Sequence, residues 1–202
     1  MAEAISNWSD FTPTFVSKTN AGGTKKDIQR LNIADPGEHK VRLVGKPIYY
    51  YRYWVGGKAA ICEDPSTCPV RQKYGIDPTL RYAVNVLDRN DGDKLKIMEF
   101  SQTVYDQIKT LCTKRSVSNP GDEFGPDFDI IVTGSKPKIK TQILLGDKTP
   151  FTDSQKEYIK ANIFELKKIY KPVPSNEIEE RLFPTKSNTE TKKVSKDDDL
   201  GF

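Results

Sequence analysis

The chain has 202 residues, 36% hydrophobic and 30% charged, with 32 basic against 28 acidic side chains and a net charge of +4. That length and composition fit one domain with polar tails, and no run of about 18 apolar residues is present to span a membrane. The opening Met1-Ala2-Glu3-Ala4-Ile5 lacks the basic start and apolar stretch of a secretory signal, and three cysteines fit a reducing cytoplasm better than a disulfide framework.

Residues 1–36 hold the turn formers Thr12-Pro13, Ala21-Gly22-Gly23 and Asp35-Pro36 without a sustained period, which predicts a flexible arm. Strand signals follow. Val41 and Leu43 alternate with Lys40 and Arg42, and the aromatic run over 48–55 favours β structure. Gly56-Gly57 turns the chain into 58–62, and 63–79 is rich in loop signals such as Asp64-Pro65, Cys68-Pro69 and Asp77-Pro78. Leu80, Tyr82, Val84 and Val86 alternate, Asn90-Asp91-Gly92-Asp93 reads as a hairpin turn, and Leu95, Ile97 and Glu99 return. Ser101 can cap a short helix whose Val104, Ile108, Leu111 and Cys112 share one face.

A loop over 113–126 leads to strands at 128–133 and 138–145. Thr152 and Gln155 have capping-box spacing and open a longer helix over 153–170, striped by Ile159, Ile163, Leu166 and Tyr170 and stopped by Pro172. A short helix fits 176–183, and from Pro184 the sequence predicts a disordered linker. The expected divisions are an arm at 1–36, a folded domain at 37–183 and a tail at 184–202. This order is mainly β. It fits a five-stranded OB-fold barrel with a short helix between strands three and four and a longer C-terminal helix, and it also fits a sheet with helices on one face.

The charge is uneven along the chain. Residues 37–75 carry +4 and 135–174 carry +5, whereas 76–134 carry −3 and 175–202 carry −2. Like-signed clusters are the footprint of a polyanion binder, and also of a solvated lysine surface.

Tyr49-Tyr50-Tyr51-Arg52-Tyr53-Trp54 is the most unusual segment. Strand alternation sends Tyr49, Tyr51 and Tyr53 to one face and Tyr50, Arg52 and Trp54 to the other. Only one face can fill a barrel core, so rings are expected to stay exposed on the other, beside Lys46, Arg52, Lys58 and Arg81. Unpaired bases stack on such rings at about 1–3 kcal/mol per base while cations follow the phosphates. Duplex DNA offers no free base faces. Tyr74, Tyr82 and Phe100 extend the expected platform, and Arg42, Arg71 and Lys73 add to its cations. The competing reading is a strand whose rings pack under a helix or a partner chain.

Cys62 and Cys68 are the candidate zinc ligands, but their five-residue gap exceeds that of a short knuckle, and Cys112 and His39 are remote. No metal and no other cofactor is predicted. The chain closes Asp197-Asp198-Asp199-Leu200-Gly201-Phe202 on a polar tether. Asp197, Asp198, Asp199, Leu200 and Phe202 are the expected partner-binding residues, with ring and carboxylate docking in a basic-rimmed apolar pocket. The same acids can also occupy the protein's own cationic groove.

Cys68-Pro69-Val70-x-Gln72 followed by Tyr74, then Tyr82-Ala83-x-Asn85-Val86-Leu87, then Phe100-x-x-x-Val104-Tyr105-Asp106-x-Ile108 resemble the single-stranded DNA-binding (helix-destabilising) proteins of T-even-like phages. The order continues through Phe128 to Ser135 and Pro150, so the likeness covers about 40–170. The resemblance implies an OB-fold core and cooperative, sequence-nonspecific binding of single-stranded DNA. It also implies roles in DNA replication, recombination and repair in the host cytoplasm, and an acidic C-terminal region that contacts replication or recombination proteins. The closing 197–202 looks more like the tip of bacterial single-stranded DNA-binding proteins.

The chain departs from that pattern in two places. The family binds zinc through a His and three Cys, whereas Arg71 stands where a Cys should follow Cys68-Pro69-Val70. Of the family's basic N-terminal arm, only Thr24-Lys25-Lys26 remains. Catalysis is not expected. A magnesium-dependent nuclease would use Asp88, Asp91, Asp93 and Glu99, but Asp91 and Asp93 fall in a turn signal without a helix-borne carboxylate pair. An RNA-binding or protein-interaction adaptor domain is the remaining alternative.

Overall fold

In the computed structural model, which describes residues 28–134 and 138–184, the alternating residues after position 36 form one 19-residue strand, Gly37–Val55 (β2). A two-residue strand, Arg30–Leu31 (β1), precedes it, and the Gly56-Gly57 turn returns the chain in Lys58–Cys62 (β3). Thr79–Asp88 (β4) and Lys94–Ser101 (β5) form the expected hairpin, and Pro126–Thr133 (β6) pairs with Lys140–Lys148 (β7). These seven strands make one sheet of order β1-β5-β4-β2-β6-β7, with β3 paired to β2. All pairings are antiparallel except β1 with β5.

The strand β2 cannot be straight, because β6 takes its edge over 37–42 and β3 takes it over 51–55, with β4 opposite. The bend lies between Val44 and Ile48, where β2 advances four residues while β4 advances from Asn85 to Ala83. Pro47 has no N–H to give the ladder, so a bulge suits it. Gly45 adopts φ 70° there, and its N–H reaches the Gly121 carbonyl at 2.7 Å.

Val41, Leu43, Val84, Val86, Met98, Phe100, Phe128, Ile130 and Ile143 fill one face of the curled sheet. Gln102–Lys114 (α2) closes that core with Val104, Tyr105, Ile108 and Cys112, and its start is capped by Ser101 Oγ as expected. On the other face Val44, Leu87 and Leu95 meet Phe151 and Ile159 of Asp153–Asn162 (α3), and Tyr50, Ala83 and Ile97 meet Leu166 and Tyr170 around Leu166–Ile169 (α4). A small lobe packs Tyr53, Ala60, Cys62, Cys68 and Val70 against Ile178 and Leu182 of Ser175–Leu182 (α5).

Four expectations change. The sheet has seven strands and is open rather than a closed five-stranded barrel: β1 takes the outer edge of β5, and Leu31, Ile33 and Ile139 pack against the core near the opening. Within the arm expected over 1–36, Arg30 and Leu31 pair with β5, while 1–27 lie outside the described residues. The loop over 63–79 contains a helix, Pro69–Tyr74 (α1), started by a proline at its first position and ended by Gly75 at φ 65°. The long helix over 153–170 is two helices. The buried Asn85 side chain accepts the Phe164 N–H at 3.2 Å and donates to the Phe164 carbonyl at 3.1 Å, and both groups are thereby lost to a helical ladder.

The capping box of Thr152 and Gln155, and the short helix near 176–183, form as expected. No helix among the described residues is long and apolar enough to cross a membrane. The tail from 185 onward, including the residues expected to bind a partner, lies outside the described residues.

The bend depends on two glycines. A Cβ on Gly121 would stand 1.9 Å from the Gly45 carbonyl oxygen, with backbone on both sides and no flexible side chain to yield. Gly121→Ala is therefore expected to cost about 1–3 kcal/mol as overpacking. Thermal unfolding should record a fall of about 2–4 °C for each kcal/mol.

Candidate nucleic-acid interface

The aromatic run does not present five rings to solvent. Alternation along β2 is intact, but each face is covered over part of its length. On the face of Tyr50, Arg52 and Trp54, Tyr50 is buried and stacks on Tyr170 with centroids 4.6 Å apart. On the opposite face, Tyr53 is buried among Cys62, Cys68, Val70 and α5. The rings left in water are those at the two ends, Tyr49 at 63% and Trp54 at 67% exposure. Tyr51 is half-buried, edge-on to Tyr49 at 6.3 Å. Tyr82 is also half-buried and stacks on Phe100 and Tyr105, so Phe100, fully enclosed, belongs to the core and not to a platform.

Arg42 is likewise withdrawn. It is fully buried, donates through Nη2 to the carbonyls of Asp122 and Glu123 at 3.0 Å each, and lies 4.6 Å from the Phe151 ring centroid. Burial lowers its pKa to about 10, so it stays protonated at neutral pH. Its task is to hold the 121–125 loop onto β2.

A cleft of about 490 Å³ is lined by Arg30, Arg52, Arg81, Glu99, Ser101 and Thr141, among others, and reaches Phe100, Val104 and Ile139 of the core. Strand register explains the grouping. Arg81 pairs with Tyr50 and with Ser101, and Glu99 pairs with Ala83, so these positions share the face of Arg52 and Trp54. Three guanidinium groups against one carboxylate leave the cleft cationic. Glu99 accepts from the Tyr50 and Tyr170 hydroxyls at 2.8 Å each and from Arg52 at 3.1 Å, and it is ion-paired to Arg30. Arg81 has no carboxylate on it among the described residues, and its buried Nε lacks a partner.

Burial alone would push the Glu99 carboxyl up, but hydrogen bonds from Tyr170 and Tyr50 and the charges of Arg30 and Arg52 outweigh it and hold it below the usual range. Tyr50 and Tyr170 move upward, through burial first and through donation to Glu99 second.

A second groove, about 460 Å³, follows the stretch of β2 between its β6 and β3 ladders. Lys46, Pro47, Ile48 and Tyr49 line one side, with Ile61, Lys167 and Pro172 on the other. Its walls are mostly apolar and aromatic, and its charged residues are Lys46, Lys167 and Glu63.

The other expected contacts lie elsewhere. Lys58 is exposed in the β2–β3 hairpin. Arg71 is paired with Asp77, and Lys73 and Tyr74 both bond Glu179 of α5, with Tyr74 stacked on Phe183 at 4.4 Å. These residues belong to the lobe on the Tyr53 face, opposite Arg52 and Trp54. Arg30, Glu99 and Tyr170 were not anticipated as parts of one site. Arg30 fell in the expected arm, and Tyr170 read only as a helix stripe.

Cys62 and Cys68 are buried neighbours. Burial and a hydrogen bond with Cys68 push the Cys62 thiol up to about 12. No group of three or more His, Cys, Asp or Glu that could hold a metal occurs among the described residues. The carboxylates considered for magnesium are held by cations: Lys96 bridges Asp88 and Asp91 at 2.8 Å each, and Arg89 holds Asp93 at 2.8 Å. Compared with known proteins, the chain matches no family model and no curated sequence.

The Glu99 cluster has a pH signature. A carboxyl depressed in the folded state contributes stability that is fully present above its unfolded pKa, about 4.3, and lost as pH falls through the lower folded value. Chemical denaturation from pH 7 down to 3 should show the wild type ahead of Glu99→Gln at neutral pH. The gap should close below about pH 4. A gap that stays constant with pH would mean that the carboxylate charge contributes nothing.

Proposed function

We propose that this chain binds single-stranded DNA without sequence preference, serving DNA replication, recombination and repair as a coating protein and not as an enzyme. The observation that carries the reading is the grouping of Arg30, Arg52 and Arg81 in one cationic cleft, with an exposed Trp54 two residues along β2 on the face of Arg52. Exposed rings offer stacking faces to unpaired bases, and guanidinium groups take the phosphates between them. The groove from Lys46 to Tyr49, with Lys167 on its far rim, offers the same two chemistries a few residues away on β2.

The strand order supports an OB-like architecture. Setting aside β1 and β3, the five remaining strands run third, second, first, fourth, fifth in chain order, with α2 between the third and the fourth. That is the order of an OB barrel cut along the seam between its third and fifth strands. In such folds the face of the second and third strands receives nucleic acid. Here α3 and α4 cover much of that face, and the part beyond them carries Arg81 and Glu99, with Arg52 on the neighbouring strand. The acidic tip over 197–202 is proposed, on its sequence, to recruit replication or recombination proteins.

Trp54 supplies the test. In a Trp8→Phe background, oligo(dT) should quench its fluorescence, and a duplex of equal length should not. Affinity should fall with salt at a slope of about 0.7 per phosphate contacted. Trp54→Ala should weaken binding roughly 5- to 150-fold, the value of one stacked base, and Arg81→Ala should lower the salt slope by about 0.7. Quenching without salt dependence, or none at all, would sink the proposal. A preference for oligo(rU) would move it to RNA.

A further inference from the structure

One wall of the 490 Å³ cleft is the chain segment Arg30, Leu31, Asn32, Ile33 and Ala34. It is lightly held. Its ladder to β5 consists of two parallel pairs, Arg30 with Ile97 and Leu31 with Met98, and the Ile97 N–H donates to the Gln29 carbonyl at 2.9 Å. Leu31 and Ile33 are half-buried against the core, and the Arg30 side chain keeps 47% of its surface in water. Short, edge-on segments of this kind open at low free energy while the rest of a domain stays folded.

Glu99 is the tie. Its carboxylate collects four donors from three elements: Arg30 from the segment, Tyr50 and Arg52 from β2, and Tyr170 from the end of α4. Tyr170 reinforces the hold on Arg30, which meets its ring face and donates to its hydroxyl oxygen. The guanidinium lies 5.5 Å from the ring centroid and bonds the hydroxyl oxygen at 2.7 Å. Two arginines and two hydroxyls around one anion are the donor set that a phosphodiester would engage.

We propose that residues 28–34 are a latch, held shut because Glu99 occupies the place of a phosphate, and that a nucleic-acid strand opens it by drawing Arg30 and Arg52 onto its own phosphates; this trigger presupposes single-stranded DNA binding at the cleft. The exchange swaps one anion for another, so neither arginine is left bare. Glu99 keeps the hydroxyls of Tyr50 and Tyr170 and is 20% exposed, so it is not stranded as an uncompensated buried charge. Arg52 sits on the paired part of β2 and can only pivot, whereas Arg30 moves with its segment. Opening therefore has a direction: the segment leaves β5, and the Ile97 N–H loses its acceptor.

Two measurements on the full chain test this. Hydrogen exchange at the Ile97 amide should accelerate when saturating oligo(dT) is added. Glu99→Gln, which removes the competing anion and keeps the shape, should exchange faster at Ile97 without any DNA. It should also bind oligo(dT) about fivefold more tightly at low salt, the worth of one released ion pair. Its salt slope should stay that of the wild type, because both arginines reach phosphates in either bound protein. Arg30→Gln opens the same latch from its exposed end, so Ile97 should again exchange faster, but here the slope should become shallower by about 0.7. Binding of oligo(dT) with Ile97 equally or better protected, or a Glu99→Gln protein that binds no tighter, would overturn the latch and leave the DNA reading intact. Absence of oligo(dT) binding by every variant would instead remove the DNA reading, and its trigger with it.

Discussion

The architecture depends on the bend in β2 at Gly45. One strand gives the same edge first to β6 and then to β3, and it can do so only if its two halves diverge. The bulge supplies that divergence, and the Gly45–Gly121 hydrogen bond fixes it at a separation too small for any side chain. Four residues of β2 span the interval that two residues of β4 span, so the insertion is even and strand alternation is not inverted. Val41 and Leu43 can therefore face the core while Arg52 and Trp54, farther along the same strand, remain on the outer face with Arg81. Arg42 secures the arrangement from beneath by binding the loop that carries Gly121.

With β2 bent, two interior rings of its aromatic run meet different covers. The chain after α3 returns over Tyr50, and α1 with α5 closes over Tyr53. The run is thus divided between covered and exposed rings. The inner rings pack beneath helices, and Tyr49 and Trp54 remain available to stack. The division follows from area: a small α4 and a two-helix lobe can each shelter one ring on one face, and neither reaches the strand's ends. Charge is divided in the same manner. Arg42 becomes structural, Lys73 and Arg71 pair within the lobe, and Arg30, Arg52 and Arg81 gather around Glu99.

Local signals were legible wherever the determining atoms lie within a few residues. The hairpin between β4 and β5, the Ser101 cap, the Thr152–Gln155 box and the order of the main strands all belong to that class. Pro69 at the first position of α1 is a signal of the same kind that was overshadowed by the surrounding loop formers. The break after α3 was illegible for a different reason: its cause is Asn85, 79 residues away, whose amide claims the Phe164 backbone. β1 was illegible too, since two residues carry no periodicity, and only the edge of β5 makes them a strand.

The sequence by itself determined which side chains alternate on each strand, where the chain turns, which helices are capped, and that rings and cations are concentrated near 49–54, because these depend on nearest neighbours and on the two-residue repeat of the extended backbone. Only the tertiary structure decided that the sheet stays open, which rings are covered, and that Arg42 holds a loop while Arg30 meets Glu99 from 69 residues away. Burial and the pairing of charges are properties of surfaces brought together from distant parts of the chain, and alternation along one strand carries no record of what will be laid across it.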